Sequence, residues 1–472
     1  MQGVKSFVEG RSPMAVDGRR RVISLFAAVA WLVPSHESLA ADVAKPPNIV
    51  IIFADDLGYG DLGCYGHPTI ATPRLDQMAH EGLRFTQFYS AAPVCTPSRA
   101  ALLTGRYPIR SGMAGNKGRV LFVHSTGGIP ASERTLAEEL AAAGYQTACV
   151  GKWHLGHLPP YLPTENGFDR YFGIPYSNDM GLISGRGKPK KGTPLPLMRD
   201  TVTIETEPDQ RFLTERYTEE AVSFISEAAA AGRPFFLYLP HSMPHVPLFA
   251  SKRFAGSSAR GLYGDVVETI DWSTGKILDT LREKGLAKST FVFFTSDNGP
   301  WLIYRQHGGS AGPLRGGKGS TWEGGMREPG IAWWPSHIPG GQVSKALGTT
   351  MDLYTTCLAM AGVEPPTDRT LDGVDLSPVL FDEDVPSIRP FFYYRGPELF
   401  AVRYGPWKLH FKTQSGYGQR TPELHDPPLL FHLEHDPSEQ FDVAKDHPDV
   451  IATIVEQVER HRKELTPGDP VY

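Results

Sequence analysis

Short, continuous apolar runs alternate with longer amphipathic stretches along most of the chain. The first run is Asn48-Ile49-Val50-Ile51-Ile52-Phe53. Residues 146–150, 234–239 and 290–294 form three more. Each of these three follows a segment with helical spacing, at 135–143, 215–231 and 265–284. Apolar runs of strand length that do not alternate with polar residues suit strands buried on both faces. Separated by helices, they predict an α/β core with a large, mostly parallel sheet sandwiched by helices. From about Pro365 the pattern changes. Residues 391–394, 400–403 and 407–411 read as short strands, Gly405-Pro406 as a turn, and 448–464 as a terminal helix. This predicts a smaller C-terminal α+β domain with an antiparallel sheet, dividing the chain into 46–364 and 365–472. The Gly-, Pro- and Lys-rich stretch 185–196 reads as an exposed loop or linker.

The first forty residues do not follow this pattern. Arg19, Arg20 and Arg21 precede an apolar run from 22 to 33, and Ser38-Leu39-Ala40 supplies small residues after it. That is the layout of a signal peptide over 1–40, with an apolar stretch too short to serve as a stable membrane anchor. It predicts a secreted or periplasmic protein. The arginines also fit, loosely, a twin-arginine export signal. Composition changes little else. Of 472 residues, 40% are apolar and 21% charged, as in an ordinary globular protein. A formal net charge of −5 with no basic stripe argues against nucleic acid as a partner. The four cysteines, Cys64, Cys95, Cys149 and Cys357, are too few for a disulfide framework. Cys149 and Cys357 sit in apolar patterns and read as small buried hydrophobes. Cys64 lies in a glycine-rich loop and remains undecided.

Chemistry gathers where the predicted strands end. Asp55 and Asp56 follow the first strand, Lys152 and His154 the second, His241 and His245 the third, and Asp297 and Asn298 the fourth. Parallel strands bring these ends to one rim, where ligands bind in open α/β sheets. Asp55-Asp56 alone fits a helix cap, and Asp297-Asn298-Gly299 alone fits a turn. Together they offer hard oxygen ligands, which suit calcium, or magnesium, better than zinc. Cys95 opens the segment Cys95-Thr96-Pro97-Ser98-Arg99. Thr96 suits an N-cap and Pro97 a first helical turn, which puts Cys95 at a helix N-terminus, where backbone N–H groups favour an anion. A plain thiolate nucleophile is one reading of that position.

That segment matches the C-x-P-x-R signature of the type I sulfatases, and the chain resembles their arylsulfatase A and N-acetylgalactosamine-6-sulfatase branch. The resemblance runs from Pro47 to roughly Val443. It is carried also by 53–58, by Gly151-Lys152-Trp153-His154-Leu155-Gly156, by 173–177, by Ser296-Asp297-Asn298-Gly299-Pro300 and by 317–325. It implies an alkaline phosphatase-like fold and hydrolysis of sulfate monoesters of aryl alcohols, sugars or lipids. It implies one calcium ion on Asp55, Asp56, Asp297 and Asn298, and a Cys95 converted to formylglycine (3-oxoalanine) by a formylglycine-generating enzyme, with residue 95 beside the ion. Arg99 would hold the aldehyde hydrate, and Lys152, His154, Ser177, His245 and Lys318 would surround the sulfate. In the reaction so implied, one hydroxyl of the hydrate attacks sulfur. His245 or Lys318 protonates the leaving alcohol, and His154 takes the proton of the second hydroxyl as sulfate leaves.

The chain departs from its vertebrate relatives in having too few cysteines for their disulfides, and Gly316 stands where arylsulfatase A has a cysteine. The segments 408–411 and 425–429, with His410 and His425, also resemble arylsulfatase A. They either line the substrate mouth or pack the small domain on the large one. A phosphate or phosphonate ester hydrolase of the same superfamily and a non-catalytic binding protein on the same fold are the competing readings.

Overall fold

The computed structural model describes residues 46–115, 118–381 and 388–472. The expected signal peptide lies outside the described residues. Eleven strands form one sheet: β1 (Asn48–Ala54), β2 (Leu83–Tyr89), β3 (Gln146–Val150), β4 (Arg170–Gly173), β5 (Pro196–Arg199), β6 (Val202–Thr206), β7 (Phe235–Pro240), β8 (Thr290–Ser296), β9 (Arg327–Trp333), β10 (Gln342–Ser344) and β11 (Gly348–Thr349). Their spatial order is β10-β2-β9-β8-β1-β7-β3-β4-β5-β6, and β11 also pairs with β2. The centre, β8-β1-β7-β3-β4, is parallel. β9 runs antiparallel between β8 and β2, and β5 and β6 form an antiparallel edge. The sheet is therefore mixed, its parallel character concentrated in the strands whose apolar runs were plain in sequence.

Successive side chains of β1 serve two cores. Val50 and Ile52 face one, with α1 (Pro73–Glu81), α4 (Leu213–Ala231) and α5 (Leu262–Glu283) packed over it. Ile49, Ile51 and Phe53 face the other, under α2 (Cys95–Thr104), α3 (Leu136–Ala142), α7 (Thr350–Ala361) and α8 (Ser377–Leu380). The remaining helices are the one-turn α6 (Glu323–Met326) and α9 (Pro448–Glu464). No helix among the described residues is long and apolar enough to cross a membrane.

A second, antiparallel sheet runs β12 (Pro390–Arg395), β13 (Glu398–Tyr404), β14 (Trp407–Thr413) and β15 (Glu423–His432). β15 escaped the sequence reading because Pro427 and Pro428 lie inside it and argue against a strand. This sheet packs against α2, α9 and Met326 through Phe391, Tyr393, Ala401, Leu409 and Ile454. Beside that apolar contact lies a fully buried charged network. Lys408 Nζ donates to Glu323 Oε1 at 2.9 Å and to the Thr321 carbonyl at 2.8 Å, and lies 3.0 Å from Glu439 Oε1. His410 Nε2 meets Glu439 Oε1 at 2.7 Å, and the Glu323 amide donates to Glu439 Oε2 at 2.7 Å. Tyr89 and Tyr393 hydroxyls donate to Glu323 at 2.6 and 2.8 Å. His410, wholly buried and 4.5 Å from the Trp322 ring, packs the C-terminal sheet against the segment that opens α6. His425 is half-buried and bonded to Thr413 Oγ1 at 2.8 Å.

Burial alone would raise the Glu323 carboxyl, but Lys408, Arg327 and Arg403 outweigh it and hold the group below its ordinary range. A carboxylate depressed in this way stabilises the fold above its ordinary titration range, and that contribution fades as pH falls through the depressed value. Lys408→Met strands Glu323 and Glu439 in the interior and should cost about 3–5 kcal/mol of unfolding free energy at neutral pH. Urea unfolding measures this. A variant as stable as the parent would show that the network carries no net charge burden.

Candidate active site

The loops leaving the C-terminal ends of β1, β3, β7 and β8 are cross-tied by their own backbones. The Asp55 amide donates to Met243 O at 3.1 Å, Lys152 N to Pro240 O at 2.7 Å, His241 N to Phe53 O at 2.8 Å and Asp297 N to Ala54 O at 3.1 Å. The parallel register thus continues past the strands and fixes where each side chain starts. Asp56 (φ 65°) and His154 (φ 60°) adopt left-handed backbone conformations, uncommon for residues with side chains. Such strain persists only where the surroundings over-determine it, and it collects at functional sites.

Cys95 is the first residue of α2, as expected, although the cap differs. Val94 holds the N-cap position without a side-chain bond, and Thr96 lies inside the helix. The Thr96 hydroxyl instead donates to the His154 carbonyl at 3.0 Å and accepts from the Leu121 amide at 3.2 Å, which ties α2 to the β3 loop. Cys95 Sγ lies 3.5 Å from Asp55 Oδ1, and Lys318 Nζ donates to that sulfur at 3.3 Å. Potential ligand atoms of Asp55, Asp56, Cys95 and His245 all lie within 4.8 Å of one another, and all four residues are buried.

Three carboxylates and three cations interlock around this point. Lys152 Nζ donates to Asp55 Oδ2 at 2.6 Å, and Lys318 Nζ lies 2.7 Å from Asp56 Oδ1. Arg99 directs Nε and Nη2 at Asp297 Oδ2, at 3.1 and 2.8 Å, and its Nη1 at the Lys152 carbonyl at 3.0 Å. The Asp56 amide donates to Asp297 Oδ1 at 3.1 Å. The side-chain hydrogen bonds of Arg99 thus go to a carboxylate and a carbonyl, and none reaches Cys95 Sγ among the described residues. Burial would raise Asp55, but Lys152, His245, Arg99 and Lys318 hold it well below the carboxylate range. Asp56 is pushed up to about 7 by burial, with Asp55 and Asp297 adding to the effect against Lys318. Asp297 moves up as well, through burial and then Asp55. Burial, joined by Asp297, pushes the Cys95 thiol well above its usual value, which disfavours a plain thiolate.

The two histidines are aimed by their second nitrogens. His245 Nδ1 lies 2.6 Å from Val246 O and 3.0 Å from Asn178 Oδ1, both acceptors, so this nitrogen carries the proton. Nε2 then faces Ser177 Oγ at 3.4 Å and Asp56 Oδ2 at 3.7 Å. Ser177 Oγ in turn accepts from Lys152 Nζ at 3.4 Å. His154 Nε2 donates to Leu121 O at 2.8 Å, which leaves a buried Nδ1 with no protein partner. His241 lies away from the cluster, 3.4 Å from Ser273 Oγ. Trp301 borders the cluster, with its ring 5.2 Å from His245 and 4.4 Å from Lys318 Nζ.

Direct contacts therefore join Asp55, Asp56, Cys95, Arg99, Lys152, Ser177, His245, Asp297, Asn298 and Lys318, whereas the His154 side chain bonds to Leu121 O and its carbonyl to Thr96 beside Cys95. The sequence reading missed Asn178 and Trp301, each adjacent to a recognised segment, and Leu121, whose main-chain role leaves no sequence signal. The donor set fits a hard divalent cation. Asn298 Nδ2 donates to Asp56 Oδ1 at 2.7 Å, while its buried Oδ1 has no protein partner. That orphaned oxygen, held beside the Asp56 carboxylate, is a free oxygen donor of the kind calcium or magnesium takes.

The sulfatase family profile matches residues 47–363, and that of the C-terminal region of aryl-sulfatase matches 387–472. N-acetylgalactosamine-6-sulfatase of Rattus norvegicus is 45% identical, covering 92% of this chain and 88% of its own. Human arylsulfatase A is 44% identical, covering 87% of each. The structure of the PsFucS1 sulfatase from Pseudoalteromonas sp. superposes with a TM-score of 0.80 at 31% identity, covering 90% of this chain and 92% of that one. The chain belongs to the sulfatase family and is a sulfuric ester hydrolase.

Proposed function

We propose that the chain removes a sulfate ester from a sulfated sugar, using a formylglycine made from Cys95 and a calcium ion bound by Asp55, Asp56, Asp297 and Asn298. The observation that carries this reading is the position of Cys95 Sγ, at the start of α2 and within hydrogen-bonding reach of both Asp55 and Lys318. Asp55 and Lys318 would then hold the aldehyde hydrate, which would supply the nucleophilic oxygen. The sugar assignment draws support from the similarity to N-acetylgalactosamine-6-sulfatase. The basic and apolar run at 19–33 supports export of the mature chain, with a formylglycine-generating enzyme acting on Cys95 before folding buries it.

When bound, the cation and the aldehyde hydrate supply charge neutralisation and a nucleophilic hydroxyl at sulfur. The chain's own residues do the rest. The three carboxylates and three cations cancel, so that with a divalent ion held by the carboxylates the pocket would be positive toward an anionic ester. Lys152, Ser177 and Lys318 surround the place a sulfate would occupy and can donate to its oxygens. Lys318 is also our candidate for protonating the leaving alcohol, because the His245 proton is committed at Nδ1 and its Nε2 is an acceptor. His154, with Nε2 tied to Leu121, has Nδ1 free to take a proton. Arg99 acts as a positioning residue that holds Asp297 and the β3 loop.

Peptide mass spectrometry of active protein should find residue 95 as an aldehyde in place of a thiol, and Cys95→Ser should release at most one product per enzyme. Sustained turnover by the serine variant would refute the need for two oxygens on one carbon. Lys318→Ala should lower kcat/KM by about 10²–10³; a loss within about tenfold would remove Lys318 from charge stabilisation. Chelation should abolish activity and lower the melting temperature, since an ion at 100 times its Kd adds about 2.7 kcal/mol to the folded state. Calcium should restore both. Unchanged melting and rate in excess chelator would exclude the ion.

A further inference from the structure

Residues 182–195 form an anchored loop beside the active-site mouth. Glu207 clamps its base, with Oε1 accepting from the Leu182 amide at 2.7 Å and Oε2 from the Leu195 amide at 2.5 Å. Its tip is closed by an antiparallel bridge between Ile183 and Pro189, and by Ser184, whose amide donates to Lys188 O at 2.8 Å. The loop thus holds a shape despite its glycine and proline content. Within six positions it presents Arg186, Lys188, Lys190 and Lys191, all exposed and none in an ion pair among the described residues. Four unpaired cations in so short a stretch stand out on a chain whose formal net charge is −5.

Packing fixes where these cations stand. A Cβ added to Gly185 would meet the Tyr304 hydroxyl at 2.5 Å, so the loop backbone rests directly on that ring. Tyr304 packs edge-on against Trp301 with centroids 4.8 Å apart, and Trp301 is the ring over Lys318 and beside His245. Tyr417 touches Trp301 on another side at 4.9 Å, and Arg119 stacks over Tyr417 at 4.3 Å. An aromatic lip therefore links the sulfate pocket to the cationic loop. Burial raises the Tyr304 hydroxyl's pKa, with Asp179 and Asp56 adding to it and Arg186 of the loop and Lys318 opposing, so both acidic groups and a loop cation act on this lip.

We propose that the loop at residues 182–195 is an anion-binding exosite that holds sulfate or carboxylate groups flanking the scissile ester, so that the preferred substrate is a polyanionic saccharide chain. This rests on the sulfated-sugar reading above and extends it beyond one sugar unit. The aromatic lip favours a saccharide over other polyanions, because sugar rings present apolar faces to aromatic side chains while their substituents reach the cations. The loop's charges act at the mouth, so they raise capture of a charged chain and leave the reacting atoms untouched.

The test replaces Arg186, Lys188, Lys190 and Lys191 together with Gln in the mature full-length enzyme. Steady-state kinetics are compared on 4-nitrophenyl sulfate and on an oligosaccharide carrying N-acetylgalactosamine 6-sulfate and uronate groups. At low ionic strength the variant should raise KM for the oligosaccharide on the order of tenfold, with kcat and the aryl sulfate kinetics unchanged. The difference should close at about 1 M salt, where charges are screened within about 3 Å. An unchanged oligosaccharide KM, or an equal change on both substrates, overturns the exosite. Duplex DNA or anionic phospholipid vesicles that inhibit oligosaccharide turnover in the parent as strongly as dextran sulfate does, and lose that effect in the variant, overturn the saccharide assignment. A parent enzyme that cleaves the aryl sulfate and leaves the oligosaccharide intact refutes the sugar reading itself; one that cleaves both equally well with and without the loop charges refutes the exosite alone.

Discussion

Three buried carboxylates matched by three buried cations are the constraint around which the catalytic end of the sheet is built. Asp55, Asp56 and Asp297 leave neighbouring strands, while Lys152, Arg99 and Lys318 come from a third strand, a helix and a long loop. None of the six has the solvation it would have in water, and removing one partner leaves an uncompensated charge that costs several kcal/mol. The arrangement is therefore all or nothing. It rests on the register of β1 against β7 and β8, and goes with the left-handed backbone at Asp56 and the approach of α2 to the β3 loop. It also leaves the pocket close to electrically neutral, so that an added divalent ion shifts it toward binding anions.

Lys318 is the member of that set that neither a strand end nor a helix positions, and its placement falls to the C-terminal sheet. Gly319 N donates to Pro93 O at 2.7 Å, next to the start of α2, and Arg395 Nε donates to Gly319 O at 2.8 Å from the end of β12. A Cβ on Gly416 would meet Lys318 O at 2.0 Å, so only glycine lets that backbone pass. A few residues on, Thr321 and Glu323 are gripped by Lys408 and Glu439. The second charged network thus fixes the loop that completes the first, which explains why a sheet remote from the reacting atoms belongs to the catalytic unit.

How much of this was legible in the sequence follows from how far each signal extends. Central strands buried on both faces announce themselves as unbroken apolar runs, and β1, β3, β7 and β8 were found within a residue or two at each end. Strand-end chemistry was legible for the same reason, because a parallel sheet converts four separate loops into one rim. The edge strands β5 and β6, with Val202 and Ile204 exposed, carry no such pattern, and Pro427 and Pro428 disguised β15. Thr96 misled because its residue type suits an N-cap, whereas long-range bonds to His154 and Leu121 claimed its hydroxyl. His410 could not be assigned from sequence alone, since mouth and interface histidines look alike until Glu439 appears beside one of them.

The cysteines and histidines show that placement, more than residue type, decides chemistry here. Cys149 and Cys357 are as buried as Cys95, but they sit among apolar side chains in β3 and α7, where nothing favours reaction. Cys95 stands at the first turn of α2 with an ammonium and a carboxylate on its sulfur. His241 and His245 leave the same strand, yet only His245 has both nitrogens engaged by groups that orient it toward the pocket. Such orientation comes from ordinary backbone carbonyls, at Val246 and Leu121, and these are invisible to any reading of side-chain motifs. The inner pocket can therefore be inferred from residue identities and strand order, whereas the aromatic lip and cationic loop at its mouth belong to irregular segments. The part of the enzyme that cleaves the ester is legible first, and the part that selects which ester to cleave emerges only with the three-dimensional structure.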